Sequence, residues 1–260
     1  GWNIEKDSQK ILTVEQWGNY GWSSMEGAFF ECVNLDVNAE DIPNLTWVEN
    51  ISQMFYGCSS LVGNETFNQW ETNYVRDMYG VFFNALKFNQ PIGSWDVSNV
   101  RTFFDMFSGA TQFNQPLESW DLQSAYGISG MFRNTNYNQD ISNWNVSNVN
   151  YMSELFKNNT KFNQNISLWD VSRVRDMYGM FQGAIDFNQD ISAWDVSSVT
   201  TMSYLFNNAN SFNQNLGQWN ISSVSDMFAM FDYSDISTES YDATLSGWDK
   251  LHTLRNDVIF

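Results

Sequence analysis

The sequence predicts an α/β solenoid of leucine-rich-repeat type. It reads as about nine stacked coils of about 25 residues, each with a short parallel strand and a short helix, closed by caps at both ends. Three observations carry this. The string FNQ recurs at Phe88, Phe113, Phe162, Phe187 and Phe212, with a YNQ version at Tyr137. Tryptophans follow at Trp95, Trp120, Trp144, Trp169, Trp194 and Trp219, at intervals of 25, 24, 25, 25 and 25 residues. Within each interval two apolar spacings alternate. One coil cannot bury its own apolar face, whereas stacked neighbours can.

Residues 1–21 do not match the repeat; Ile11, Leu12, Val14 and Trp17 suit an irregular first strand in an N-terminal cap. Residues 22–234 form the array, with coils opening at Trp22, Val48, Val75, Val100, Ala125, Val149, Val174, Val199 and Val224. Val100, Phe103, Met106, Phe107 and Ala110 are spaced as one face of a short helix, and Ser98 stands where its N-cap would be. Ile92, Trp95 and Val97 suit a short strand, with Trp95 and Val97 on one side and Asp96 on the other. The fifth coil reaches Tyr137 one residue early, which predicts a tightened turn. Residues 235–260 change register. Ile236, Tyr241, Leu245, Trp248 and Leu251 share a helical face with Ser237 or Thr238 as N-cap, and Val258–Ile259–Phe260 suits a last strand, giving a C-terminal cap.

One column runs Cys32, Cys58, Ala85, Ala110, Ala184 and Ala209, with Asn159 and Ser234 at matching places. It reads as a place where only small side chains fit. The sharper alternative is a Cys32–Cys58 disulfide, because coils about 4.8 Å apart are within bridging reach.

The string FNQDISAWDVSSVTTMSYLF resembles the bacterial surface protein 26-residue repeat, the mycoplasma-lipoprotein-type relative of BspA-like leucine-rich repeats. ILTVEQWGNYGWSSMEGAFFECVNLDV is similar to that family's opening coil and ISTESYDATLSGW to its closing segment. The resemblance covers about residues 10–250. It implies an extracellular or surface-anchored bacterial protein, a repeat module with adhesive or binding work inside a larger polypeptide, and no enzymatic activity. It brings no ligand residues. This copy departs from it at Tyr79, Phe104, Tyr178 and Phe228, where Ser or Asn is usual.

The net charge of −18 argues against nucleic acid and anionic membranes as partners, since both need a basic surface. It suits solubility and leaves room for calcium; no other cofactor is expected. No stretch is apolar enough to insert in a bilayer. The opening GWNIEKDSQK has no signal-peptide character, which fits either a cytosolic chain or a piece of an exported one. The single histidine, His252, and the absence of a nucleophile, Walker or zinc motif speak against catalysis.

In a repeat protein, residues that serve the fold obey the repeat and residues that serve a ligand break it. The position after each coil-opening residue reads Arg76, Arg101, Tyr126, Asn150, Arg175, Thr200 and Ser225, with Tyr151 and Tyr204 on flanking positions. Arg and Tyr dominate binding hot spots. Arg76, Arg101, Tyr126, Tyr151, Arg175 and Tyr204 are therefore one candidate face, set against a solvated row of weak ion pairs. A second column, Asp96, Asp121, Asn145, Asp170, Asp195 and Asn220, is either a ligand or calcium face or a set of side chains bonded to a neighbouring backbone or the following Ser. The second reading is preferred. The expected function is a ligand-binding module, acting as a monomer on a host or neighbouring-cell surface protein, a peptide or a glycan. The alternative is a spacer with no ligand.

Overall fold

The computed structural model describes residues 7–251. The chain winds as a repeat solenoid whose coils meet in parallel. Single-residue bridges run Asn50–Asp77–Thr102–Gly127–Tyr151–Asp176–Thr201–Asp226. At the N-terminal end, β1 (Thr13–Val14) pairs in parallel with β2 (Asp36–Val37). Asp41 accepts the Trp17 and Gly18 amides at 2.9 and 2.8 Å, tying the opening segment down.

The strand and helix expected in each coil do not form. From Ser8 to Leu251 the helices are short 3-10 turns at Ser8–Lys10 and Glu65–Gln69 and one α-helix, α1 (Thr238–Trp248). The coils are strings of turns. Trp95 N–H closes on the Ile92 carbonyl at 3.1 Å and Val100 N–H on Val97 at 2.9 Å. The alternation survives without a strand: Trp95 and Val97 are buried and Asp96 is exposed. Ser98 caps no helix; its amide and hydroxyl both bond Asp96 Oδ1, at 3.0 and 2.6 Å.

The supposed helix is two turns laid end to end. Met106 N–H reaches the Phe103 carbonyl at 3.2 Å and Ala110 N–H reaches Phe107 at 2.9 Å. The third residue of each turn, Asp105 (φ 52°) and Gly109 (φ 75°), is left-handed, the type II signature. The first and fourth residues of a turn point to one side. Joined turns therefore place apolar residues at i, i+3, i+4 and i+7, the same spacing as a helical stripe. The remaining amides leave the coil: Phe103, Asp105, Phe107 and Gly109 donate to the carbonyls of Gly127, Ser129, Met131 and Arg133 at 2.8–3.1 Å. A helix would spend those donors internally.

The core is a pair of aromatic columns. Phe29, Phe55, Phe82, Phe107, Phe132, Phe156, Phe181, Phe206 and Phe231 stack coil on coil, 5.5–5.9 Å apart. The FNQ rings lie against them, as in Phe156–Phe162 at 3.7 Å and Phe107–Phe113 at 4.0 Å. The repeat tryptophans from Trp95 to Trp219 also reach back one coil, whereas the buried indole N–H groups of Trp17 and Trp70 have no such partner. The indole N–H of Trp95, Trp120, Trp144, Trp169, Trp194 and Trp219 donates to the carbonyl of Phe67, Ile92, Leu117, Ile141, Ile166 and Ile191, at 2.7–3.2 Å. On the surface, Asn Oδ1 groups accept the next coil's amide in an unbroken run, Asn89 to Asn114, Asn138, Asn163, Asn188 and Asn213, at 2.9–3.0 Å.

α1 finishes both ladders. Ser237 N–H bonds Asn213 Oδ1 at 2.9 Å, and the Ser237 hydroxyl caps the helix by accepting Ser240 N–H at 3.2 Å. Trp248 donates its indole N–H to the Leu216 carbonyl at 3.0 Å, and Thr244 Oγ1 accepts Leu216 N–H at 2.9 Å. His252 and Val258–Ile259–Phe260 lie outside the described residues.

In the short fifth coil, Thr135 occupies the small-residue column. Its hydroxyl donates to the Phe132 carbonyl at 2.7 Å and accepts Tyr137 N–H at 3.4 Å, replacing a backbone turn bond. Tyr137 holds a phenylalanine position, fully buried, with no hydrogen-bond partner for its hydroxyl. Tyr137→Phe removes that desolvated group at little cost in packing. Stability in urea denaturation is expected to stay level or rise by up to about 1 kcal/mol; a clear loss would mean the hydroxyl has a structural partner.

Candidate functional site

The arginine column is a continuous edge of the stack. Arg101 N–H donates to the Arg76 carbonyl, Tyr126 to Arg101, Asn150 to Tyr126, Arg175 to Asn150, Thr200 to Arg175 and Ser225 to Thr200, at 2.8–3.0 Å. These amides hold the side chains at coil spacing. Arg76, Arg101, Tyr126 and Arg175 are exposed. Arg76 pairs with Glu49 at 3.3 Å across an open surface, where such a pair adds little stability.

Tyr151 and Tyr204 sit elsewhere on the same side. Tyr151 lies in the bridge column. Tyr204 is the left-handed residue of a turn (φ 60°) and half-buried. The fold assigns each to an aromatic cluster. Tyr126, Tyr151 and Phe104 meet edge to face, with ring centres 5.7–6.5 Å apart. Phe104 covers Gly127, where any Cβ would collide with its ring. Tyr204 lies between Tyr178 and Phe228, at 5.6 and 5.5 Å.

Beside the Phe104 cluster is a hollow of about 310 Å³ lined by residues including Tyr79, Phe104, Asp105, Arg133 and Glu154. Arg133 bridges Asp105 (3.0 Å) and Glu154, and Lys157 also bonds Glu154. Burial pushes the Asp105 carboxyl above its usual range, against the pull of Arg133. Burial also acts on Glu154, but bonds from Lys157 and Arg133 outweigh it and hold that carboxyl low. This network was not foreseen from sequence. Its signal is a column reading Phe83, Ser108, Arg133, Lys157, Gln182 and Asn207, as irregular as the arginine column.

The acidic column has a different character. Asp96, Asp121, Asn145, Asp170, Asp195 and Asn220 are all exposed, yet each Oδ1 accepts the amide two residues on, at 2.9–3.3 Å. The Ser197 hydroxyl and amide hold the Asp195 carboxyl below the usual range. Among the described residues no group of three or more His, Cys, Asp or Glu side chains is gathered to hold a metal.

Cys32 and Cys58 are buried free thiols, so the disulfide alternative does not form. Cys58 Sγ–H points to the Phe29 carbonyl at 3.1 Å, and burial raises the pKa of both thiols.

The profile of the family described as "Mycoplasma protein of unknown function, DUF285" matches residues 23–139 and again 127–248. The chain belongs to that family. The two overlapping matches both fall on the turn-built coils. No curated protein matches the sequence significantly. Among solved structures, a leucine-rich cell surface protein from Faecalibacterium prausnitzii A2-165 is similar over 90% of this chain and 86% of its own, at 11% identity and a TM-score of 0.30. No helix of the described residues is long and apolar enough to cross a membrane.

Proposed function

We propose that this domain is a non-enzymatic ligand-binding module of a bacterial surface protein. It acts as a monomer outside the cell, through an extended strip of its surface rather than a cleft, on a surface protein, peptide or glycan. The supporting observation is where the coils depart from one another. The Asx turns, Asn ladder and indole ladder repeat from coil to coil. The strip holding Arg101, Phe104, Tyr126, Tyr151, Arg133 and Tyr204 does not. Exposed aromatic and guanidinium groups on a rigid backbone bind at low entropic cost. The reading needs neither cofactor nor calcium, and the net charge disfavours nucleic acid.

The test is a glycan and peptide array, followed by pull-down from surface-protein extracts, for the domain and for Arg101→Ala/Tyr126→Ala. The double variant is expected to weaken binding by at least about tenfold, with an unchanged melting temperature. Unchanged binding would remove this strip. A blank in every screen would favour a spacer, a role the uniform ladders would also serve.

A further inference from the structure

The column just before the arginine edge carries a second break, and it is the sharper one. It reads Trp47, Tyr74, Asn99, Ser124, Asn148, Arg173, Ser198 and Ser223. The polar members secure the stack: Asn99 bonds the Asn73 carbonyl at 2.9 Å, Asn148 the Gln123 carbonyl at 2.7 Å and Ser223 the Ser197 carbonyl at 2.5 Å. Trp47 and Tyr74 cannot make those bonds. Trp47 is instead 71% exposed, and its backbone is left-handed at φ 76°, the only such value in the column. For a bulky side chain that conformation is strained, and residues held so cluster at ligand sites. Trp47 is the third residue of the turn that Val48 N–H closes on the Leu45 carbonyl at 2.9 Å, and its largely exposed ring stands beside Tyr74, with centres 5.1 Å apart.

Two residues on in each coil, across the buried Val48 and Val75, stand Glu49 and Arg76. The Arg76 amide bonds the Glu49 carbonyl at 2.8 Å and their side chains pair at 3.3 Å. An exposed indole face, a phenol, a carboxylate and a guanidinium thus share one patch over two coils. An apolar ring face beside planar, two-pronged hydrogen-bonding groups suits a molecule with a flat C–H face and vicinal hydroxyls at its rim. We infer that Trp47, Tyr74, Glu49 and Arg76 form a binding site for a neutral hexopyranose saccharide. The ring would stack on Trp47, and adjacent hydroxyls would donate to Glu49 and accept from Arg76. Neutral glycans are preferred because the domain's charge of −18 repels acidic ones. The site shares Arg76 with the arginine edge but rests on none of Arg101, Tyr126 or Tyr151.

The test titrates the whole domain with cellotetraose, chitotetraose, maltotetraose and lactose, by calorimetry and by saturation-transfer NMR, up to 10 mM sugar. At least one is expected to bind. Trp47→Ala and Arg76→Ala should each weaken that binding by roughly tenfold or more. Leu168→Ala, at an exposed position on another coil, should leave it intact; loss of the sugar in Arg101→Ala/Tyr126→Ala would place it on the arginine edge and overturn the inference. Trp47→Gly should lose the sugar while its melting temperature holds or rises, because the left-handed strain is relieved. No binding to any of the four sugars, or equal binding by Trp47→Ala, overturns the inference. A fall in melting temperature for Trp47→Gly overturns the argument that Trp47 is held at a cost to the fold.

Discussion

Asn159→Ala is expected to destabilise the domain by about 3 kcal/mol, although alanine is the native residue at Ala85, Ala110, Ala184 and Ala209 in the same column. Comparing coils alone would forecast the opposite sign. The difference comes from the missing residue in the coil beneath. Asn159 is fully buried and its side chain makes four bonds, two to that coil and two within its own. Its Nδ2 donates to the Tyr137 carbonyl at 2.9 Å and to Thr135 Oγ1 at 3.3 Å; its Oδ1 accepts the amides of Lys161 and Phe162 at 3.2 and 3.1 Å. Removing the carboxamide strands several of these groups out of reach of water, and each costs about 1–3 kcal/mol if left unmade. Inserting one residue between Thr135 and Tyr137, with Thr135→Ala, restores the standard coil length and should recover most of the loss. Chemical denaturation of the single variant and the rescued one decides it. A neutral or stabilised Asn159→Ala would sink the account.

Trp169→Ala should cost about 3–5 kcal/mol, the range for deleting a large buried aromatic. Trp169→Phe separates the two parts of that loss. It keeps a ring beside Trp144, 6.3 Å away, but leaves the Ile141 carbonyl without the indole N–H at 3.1 Å. About 1–3 kcal/mol is expected from the orphaned carbonyl and the smaller ring. Both figures are read from urea midpoints, with amide exchange reporting whether the neighbouring coils loosen too, as nearest-neighbour coupling requires. Full stability for Trp169→Phe would mean that the ladder is packing alone.

The repeat length, the inward tryptophans, the FNQ ladders and the C-terminal helix were all legible in the sequence, because each rests on a spacing that is the same in every coil. The internal helix was not. Phe103, Met106, Phe107 and Ala110 carry a helical spacing that two joined type II turns reproduce. The distinguishing signal lay on the other residues. Gly80, Gly130 and Gly179 fall at one outward position, and Asn84, Gly109, Asn134, Asn158, Gly183 and Asn208 fall four further on. Glycine and asparagine recurring inside a supposed helix are poor helix formers but good left-handed turn residues. The candidate site was half legible. The arginine column was visible as a break in the repeat. The clusters around Phe104 and Tyr204 and the Arg133 network depend on which outward columns are neighbours, and a helical wheel assigns those wrongly.

The closing helix takes its hydrogen bonds from groups every coil offers, and packs Gly247 against Gly217, where a Cβ on either residue would meet backbone. Ser237 meets an Asn of the FNQ ladder, and Trp248 and Thr244 meet the main chain of Leu216. Asn163, Asn188 and Ile191 would present the same groups one or two coils earlier. The lid therefore asks for a glycine at the place of Gly217 in the last coil, and coils beneath that one can be duplicated or lost without redesigning the end. The reach of such an array is then open to drift and selection independently of its stability, while the residues that break the pattern stay where they were placed, coil by coil.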